Sequence, residues 1–210
     1  KKYDYILGFN MSALTCMLPA VLIRKLYKKP VTFWTLDIWP DGVYAYGFKK
    51  TKVLSYLLDK FVKFVYLNVD NIAIASKGFK LKLKPYVTRD LNFNYLPQWA
   101  DDLDMTLKPA DIGSKSKVNF TFAGNIGKVQ NLENIIKAFC LLPNVHQKKS
   151  QLNIIGDGSY LDHLISLASS NRNIIFYGKK PRSEMASYYK VSDFLIISLI
   201  DKPIFSVTVP

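Results

Sequence analysis

Glycines recur in three loops of this chain: Gly124 with Gly127, Gly156 with Gly158, and Gly178 followed by Lys179 and Lys180. Glycine lets a backbone come close to a ligand. The first N–H groups of a helix have no partner inside it and carry partial positive charge. A loop joining a strand to such a helix therefore suits a phosphate or diphosphate. An ordinary strand-to-helix turn uses the same residues, so one loop alone leaves both readings open. Three of them on one sheet edge strengthen the phosphate reading. Gly124 and Gly127 do not have the G-x-G-x-x-G spacing of a dinucleotide fingerprint. A different chemistry is available at Asp37, which directly follows an apolar run and so falls at the carboxyl edge of a parallel sheet, where open α/β folds bind ligands. Capping its own loop is the other use for that carboxylate.

The elements that hold these residues can be read from periodicity. Residues 118–123 are apolar and rich in strand formers, residues 124–130 form a loop, and Leu132, Ile135, Ile136 and Phe139 make one helical stripe. Asn131 is placed to cap that helix, and Glu133 lies in its first turn, where negative charge is favourable. The alternation continues with strands at 151–155, 173–177 and 193–199, a helix around Leu161, Leu164, Ile165 and Ala168, and a short helix from Ser183 to Lys190. Upstream, strands are expected at 3–9, 31–36 and 71–76, and helices at 12–27, 54–65 and 77–84, with a further strand from Asn94 that stops at Pro97. Strands alternating with helices mean βαβ units and parallel sheets. Residues 101–117 lack periodicity and read as a linker.

Charge divides near that linker. Residues 1–89 hold 16 Lys and Arg against 5 Asp, whereas residues 90–210 hold 13 against 11 acidic residues. A basic half suggests an anionic partner: nucleic acid, an anionic membrane surface or a phosphorylated substrate. A solvated lysine-rich surface is the plain alternative. The helix at 54–65 is surrounded by Lys49, Lys50, Lys52, Lys60 and Lys63, interleaved with aromatic residues. It fits a membrane-surface helix, a core helix with a basic outer face, or a single-stranded nucleic-acid platform. No nucleic-acid motif accompanies it, so no nucleic-acid partner is expected.

Cys16 and Cys140 fall inside apolar helical patterns and are expected in the core, in a reduced, cytoplasmic setting. The uncharged residues 5–23 read as strand, polar turn and helix rather than a membrane span. There is no P-loop, no H-E-x-x-H and no G-x-S-x-G nucleophile elbow. His146 and His163 are expected to be structural, and Asp102 and Asp104 to form a solvated acidic loop. No metal is expected.

In order along the chain, Phe122-Ala-Gly-Asn-Ile-Gly127, Asn153-Ile-Ile-Gly-Asp-Gly-Ser159, Phe176-Tyr-Gly178 and Tyr188-Tyr-Lys-Val-Ser-Asp193 resemble the C-terminal domain of retaining family 4 glycosyltransferases. Asp37-Ile-Trp-Pro40 and Leu96-Pro-Gln-Trp-Ala-Asp101 resemble the second half of that family's N-terminal domain. The resemblance runs from about residue 3 to residue 210, and its order and spacing are more specific than any single motif. The subgroup it resembles is the bacterial fucosaminyltransferase-like enzymes of surface polysaccharide assembly. This implies a GT-B fold, with two Rossmann-like α/β domains built on parallel sheets, both incomplete here. They would span residues 1–104 on the acceptor side and 118–210 on the nucleotide-sugar side, joined by a linker at 105–117.

The resemblance also implies roles. Gly124, Asn125, Gly127 and Lys128 would approach the donor diphosphate, Gly156 and Gly158 would line the site, and Gly178, Lys180 and Pro181 would flank the nucleobase. Many members have Arg at the position of Asn125 and Lys near Gln130. Here the compensating charge must come from Lys128, the helix terminus or elsewhere. Asp37 falls close to where many members place a histidine against the donor sugar, which makes it the candidate catalytic residue. The implied substrates are a nucleotide-diphosphate sugar and a glycan acceptor, lipid-linked, at the inner face of an anionic membrane, with no cofactor. The family's Glu-x7-Glu motif would lie beyond Pro210 and its first glycine loop before Lys1, so the chain is expected to be an internal fragment, inactive by itself. A non-catalytic nucleotide or sugar-phosphate binding module, or an inactive remnant, is the alternative. A purely charge-driven lipid or nucleic-acid binder is the third reading.

Overall fold

The computed structural model describes residues 3–11, 13–88, 91–100, 102–104, 106–112 and 116–208. Ser12, the expected start of the first helix, Asp101 at the end of its motif, and residues 105 and 113–115 of the expected linker lie outside the described residues. The chain forms two compact units, Lys1–Trp99 with Asp201–Pro210, and Ala100–Ile200. The end of the chain thus groups with the first unit.

In the first unit, strands β1 (Ile6–Asn10), β2 (Val31–Thr35), β3 (Asn71–Ile74) and β4 (Phe93–Tyr95) form a parallel sheet in that order. Its helices are α1 (Leu18–Tyr27), α2 (Asp41–Ala45), α3 (Lys52–Leu67) and α4 (Phe79–Leu83). The expected helix at 12–27 is instead a 3₁₀ turn, Leu14–Met17, leading into α1. Pro19 lies in the first turn of α1, where its missing N–H costs nothing, so the regular helix begins beside it. Thr51 caps α3 by accepting a 3.2 Å bond from the Leu54 N–H. Val31 and Phe33 of β2, Ile72 of β3, Val62, Val65 and Tyr66 of α3, and Leu83 are all buried in one core. At the amino edge of the sheet, Arg24 grips Asp70 in a fork of 2.8 and 2.6 Å, and Asp70 also accepts the Val31 N–H at 2.9 Å. This fixes the end of α1 to the starts of β2 and β3.

In the second unit, β5 (Val118–Ala123) leads through a 3₁₀ turn, Lys128–Gln130, to α5 (Leu132–Cys140) and the short α6 (Asn144–Lys148). Strand β6 (Ser150–Ile155) is followed by α7 (Leu161–Ala168). Strand β7 (Ile174–Gly178) is followed by a 3₁₀ turn, Arg182–Glu184, and α8 (Met185–Tyr189), and β8 (Phe194–Leu195) closes the set. All pairs are parallel, in the order β7-β6-β5-β8. Phe122, Leu152 and Ile154 pack with Leu132, Ile136, Phe139 and Leu164 in a second core. The α/β class with two parallel sheets is as the alternation requires.

Local details differ from expectation. Asn131 does not cap α5 through its side chain; it sits in the left-handed region at φ 53°, which Asn tolerates better than most residues. Ser183 lies inside the 3₁₀ turn rather than capping α8. The strand expected at 193–199 shortens to Phe194–Leu195, although Ile196 still donates to the Thr121 carbonyl at 2.8 Å. Both cysteines are exposed rather than in the core. Cys16 turns outward from the 3₁₀ turn and its thiol meets the Phe9 carbonyl. Cys140 ends α5 one position past Phe139, which takes the buried place.

Candidate functional site

The three glycine loops leave β5, β6 and β7 at the same sheet edge, and they are hydrogen-bonded to one another. Gly124 donates to the Ile155 carbonyl at 3.0 Å, Ile126 to the Asp157 carbonyl at 2.8 Å, and Gly156 to the Gly178 carbonyl at 2.9 Å. The approach of the first two loops is what requires glycine. A Cβ at Gly156, where φ is +143°, would lie 1.9 Å from the Gly124 oxygen, and one at Gly158 would lie 2.4 Å from the Ile126 oxygen. The glycines therefore serve first to lay one loop against the other.

These loops border a cleft of about 670 Å³. Its lining includes Gly124 and Asn125 from the first loop, Gly156, Asp157 and Gly158 from the second, and Lys179, Lys180, Pro181 and Arg182 from the third, with Met185 and Tyr189 of α8. Of the residues expected at a donor site, Gly124, Asn125, Gly156, Gly158, Lys180 and Pro181 line this cleft, and Gly127, Lys128 and Gly178 do not. Gly127 is turned inward, its N–H held by the Gln130 side chain at 3.0 Å, and Lys128 points out from the 3₁₀ turn. Gly178 turns the chain in the left-handed region at φ +66°, ahead of the two lysines. Asp37 belongs to the first unit.

The N–H groups foreseen for phosphate are partly committed elsewhere. Those of Gly124, Gly127, Gly156 and Gly158 are all used within the loops. Positive charge at the cleft comes instead from the third loop, as Lys179, Lys180 and Arg182. Lys180 also lies over the Tyr188 ring, 5.9 Å from its centroid. Lys179 was legible as one of a lysine pair. Arg182 carries no sequence signal of its own, and Tyr189 stands in the Tyr188–Asp193 motif without a site role assigned to it; both reach the cleft because the 3₁₀ turn and α8 continue the third loop along its rim.

Behind the first two loops, Glu133 at the start of α5 joins them. Its carboxylate accepts bonds from Lys137 at 2.6 Å and from Tyr160 at 2.8 Å, and it pairs with His163 at 3.2 Å. Those partners, Lys137 first, hold its carboxyl down at about 2. Tyr160 in turn donates its backbone N–H to the Ile126 carbonyl at 3.0 Å. In the first unit, Asp37 is half-buried just past β2, and burial raises its carboxyl. Its carbonyl accepts from buried Asn10 at 3.0 Å, and Asn10 also holds the Leu36 N–H at 3.1 Å.

Residues 105–204 match the family model for glycosyl transferases group 1. The chain is 24% identical over its whole length to a probable glycosyltransferase, WbjE, of Pseudomonas aeruginosa, of which it covers 54%. It is 30% identical over 157 residues to the uncharacterized glycosyltransferase MJ1069 of Methanocaldococcus jannaschii, covering 69% of this chain and 39% of that protein. The chain thus spans about half the length, or less, of these relatives. Its fold matches a solved structure from E. coli, trehalose-6-phosphate bound with UDP-2-fluoro glucose, at a TM-score of 0.70 and 11% identity, over 96% of this chain and 54% of that one. The cleft of the second unit lies wholly within the residues that resemble glycosyl transferases group 1, and the two parallel α/β sheets match the fold of solved glycosyltransferase structures.

Proposed function

We propose that the protein transfers a sugar from a nucleotide-diphosphate sugar to a lipid-linked glycan acceptor in cell-surface polysaccharide assembly, as a retaining, fucosaminyltransferase-like enzyme acting at the inner face of a membrane. The observation that carries this reading is the cleft, in which the cations of Lys179, Lys180 and Arg182 accompany two mutually bonded glycine loops. As the sugar–phosphate bond breaks, negative charge grows on the departing nucleoside diphosphate. Fixed cations and polar groups in a partly enclosed cleft stabilise that charge without having to reorganise. Asn125 contributes an amide at the same rim. Gly124, Gly156, Gly158 and Pro181 let the chain come close to the nucleotide. Asp37 is the candidate catalytic carboxylate, to be tested apart from the cleft because it belongs to the other unit. The share of its relatives' length that the chain spans supports reading it as part of a longer enzyme. The UDP-sugar held by the structure matched in fold makes UDP-sugars the first donors to try.

The test is calorimetric titration of the full-length protein with UDP-, GDP- and ADP-sugars, followed by product analysis with lipid-linked acceptors. One donor should bind and turn over, and K179A/K180A should weaken its binding about tenfold or more while the protein stays folded. Binding without turnover would make the protein a nucleotide-binding module. No binding to any donor would end the reading.

A further inference from the structure

We propose that residues 102–104 and 106–110 are a working part of the cleft rather than a tether. They dock on the turn and helix that carry Arg182, Met185 and Tyr189, and Lys190 is the positioning residue that holds them there. The inference rests on the nucleotide-sugar reading of that cleft for its ligand, but the docking itself is measured with no ligand bound.

Helix α8 has only 5 residues, too few to be stable by itself. Ala186 and Tyr188 are buried, yet neither belongs to the second apolar core. What fixes the chain just beyond α8 is polar. The Ser192 hydroxyl donates to the Thr121 hydroxyl at 2.7 Å, and Asp193 accepts the Asn119 N–H at 2.7 Å. Those bonds hold the end of the helix against β5. They leave its start, with Arg182 and Met185, to be placed from another side.

That side is the linker, which from Ala100 onward groups with the second unit. The Ala110 N–H donates to the Ser187 carbonyl at 2.9 Å, and the Lys190 ammonium donates to the Leu107 carbonyl at 2.8 Å. Ser187 and Lys190 stand three residues apart, so the two bonds form one clamp at the end of α8. The charged donor makes the second bond the stronger. Asp104 accepts the hydroxyl and the N–H of Thr106, and these bonds, with the Lys190 charge, hold its carboxyl below the usual carboxylate range. Lys190 thus meets both a carbonyl and a carboxylate of the linker. Arg182 lines the cleft and also a neighbouring cavity of about 400 Å³, which Asp102 and Asp104 line as well. A shift of the linker would therefore change both the shape and the charge that the rim presents to a diphosphate.

The test is amide hydrogen exchange of the full-length protein as wild type, K190M and K190R, first without ligand. K190M keeps the stem and removes the donor. The amides of Ala110 and of residues 182–189 should then exchange about tenfold faster or more, with β5 and β6 unchanged. K190R keeps a cationic donor and should stay within about threefold of the wild type. The comparison is repeated with whichever of UDP, GDP and ADP binds in calorimetry. That nucleotide should slow exchange at Ala110, which does not line the cleft. K190M should abolish the slowing and weaken binding about tenfold, and K190R should retain both. Unchanged ligand-free exchange in K190M would overturn the docking. Faster exchange at Ala110 with wild-type nucleotide affinity would overturn the coupling, since the linker would rest on α8 without setting the cleft. Faster exchange that spreads through β5 and β6 would make Lys190 a general stabiliser and overturn its positioning role. If no nucleotide binds the wild type, the reading of the cleft falls and the coupling with it, while the ligand-free exchange still decides the docking.

Discussion

A methyl group at Gly156 would lie 1.9 Å from the Gly124 carbonyl oxygen, on a backbone whose φ of +143° already disfavours any side chain. G156A must therefore push apart the two loops that border the cleft. The expected cost is about 2 kcal/mol or more of stability, from overpacking and backbone strain together. Donor affinity should fall with it. Denaturant unfolding and calorimetry measure the two effects, and a G156A protein of wild-type stability would show that the loops can separate freely. Asp37 allows a prediction of opposite sign. Burial raises its carboxyl, so the folded state holds the proton more tightly than the unfolded chain does. Stability is then favoured below the ordinary carboxylate pKa and declines as pH rises through the raised value. D37N removes that cost. It should melt as high as the wild type or higher at neutral pH, with the difference vanishing near about pH 3, while turnover falls and donor affinity holds. A lower melting temperature at neutral pH would mark Asp37 as a structural cap. The glycines and Asp37 were legible because their types are unusual at a strand end. Lys179, Arg182 and Tyr189 were not read as a group, because which cations face the cleft depends on the turn at Gly178 and on the path of α8.

Most elements were legible from periodicity alone, since buried β5 and β6 and the stripe of α5 leave one-sided apolar patterns. The departures occur where local chemistry competes with pattern. Pro19 shortens α1, Asn131 accepts a left-handed turn in place of capping, and β8 pairs with β5 over only two residues. What no local pattern encodes is the pairing of loop with loop, because Gly124 finds Ile155 and Ile126 finds Asp157 across the sheet edge. The Glu133 network is equally non-local, joining α5 to Tyr160 and His163 at the start of α7. It leads to an element-scale prediction. The Glu133 carboxyl is held at about 2 against an ordinary 4.5, so its contribution is complete above pH 4.5 and is lost as pH falls towards 2. E133Q should be less stable than the wild type at neutral pH, and the gap should close across that acid window. Because Tyr160 also holds Ile126, E133Q should weaken nucleotide binding as well. Parallel melts of the two proteins from neutral pH to acid check the sign, and a gap that widens in acid would mean that Glu133 does not act through its charge.

Over the whole molecule, charge and cleft are distributed differently. Residues 1–89 carry 16 cations against 5 acids, whereas residues 90–210, which include the cleft, carry 13 against 11. A diphosphate in the cleft would meet a few cations at contact distance, where added salt screens weakly. A lipid surface would meet many lysines through water, where salt screens strongly. The screening length shrinks from about 10 Å at 0.1 M salt to about 3 Å at 1 M. Over that range vesicle binding should fall by about tenfold or more, while affinity for the nucleotide sugar should change only a few-fold. Flotation and calorimetry on one preparation, stepped through the same salt series, compare the two directly. If nucleotide binding shows the steeper dependence, the donor is held by diffuse charge rather than by the cleft. If vesicle binding is flat with salt, apolar contacts rather than the lysines of the basic half hold the membrane. Only the expected ranking keeps the two halves chemically distinct, with one reading a phosphate at close range and the other sensing a charged surface.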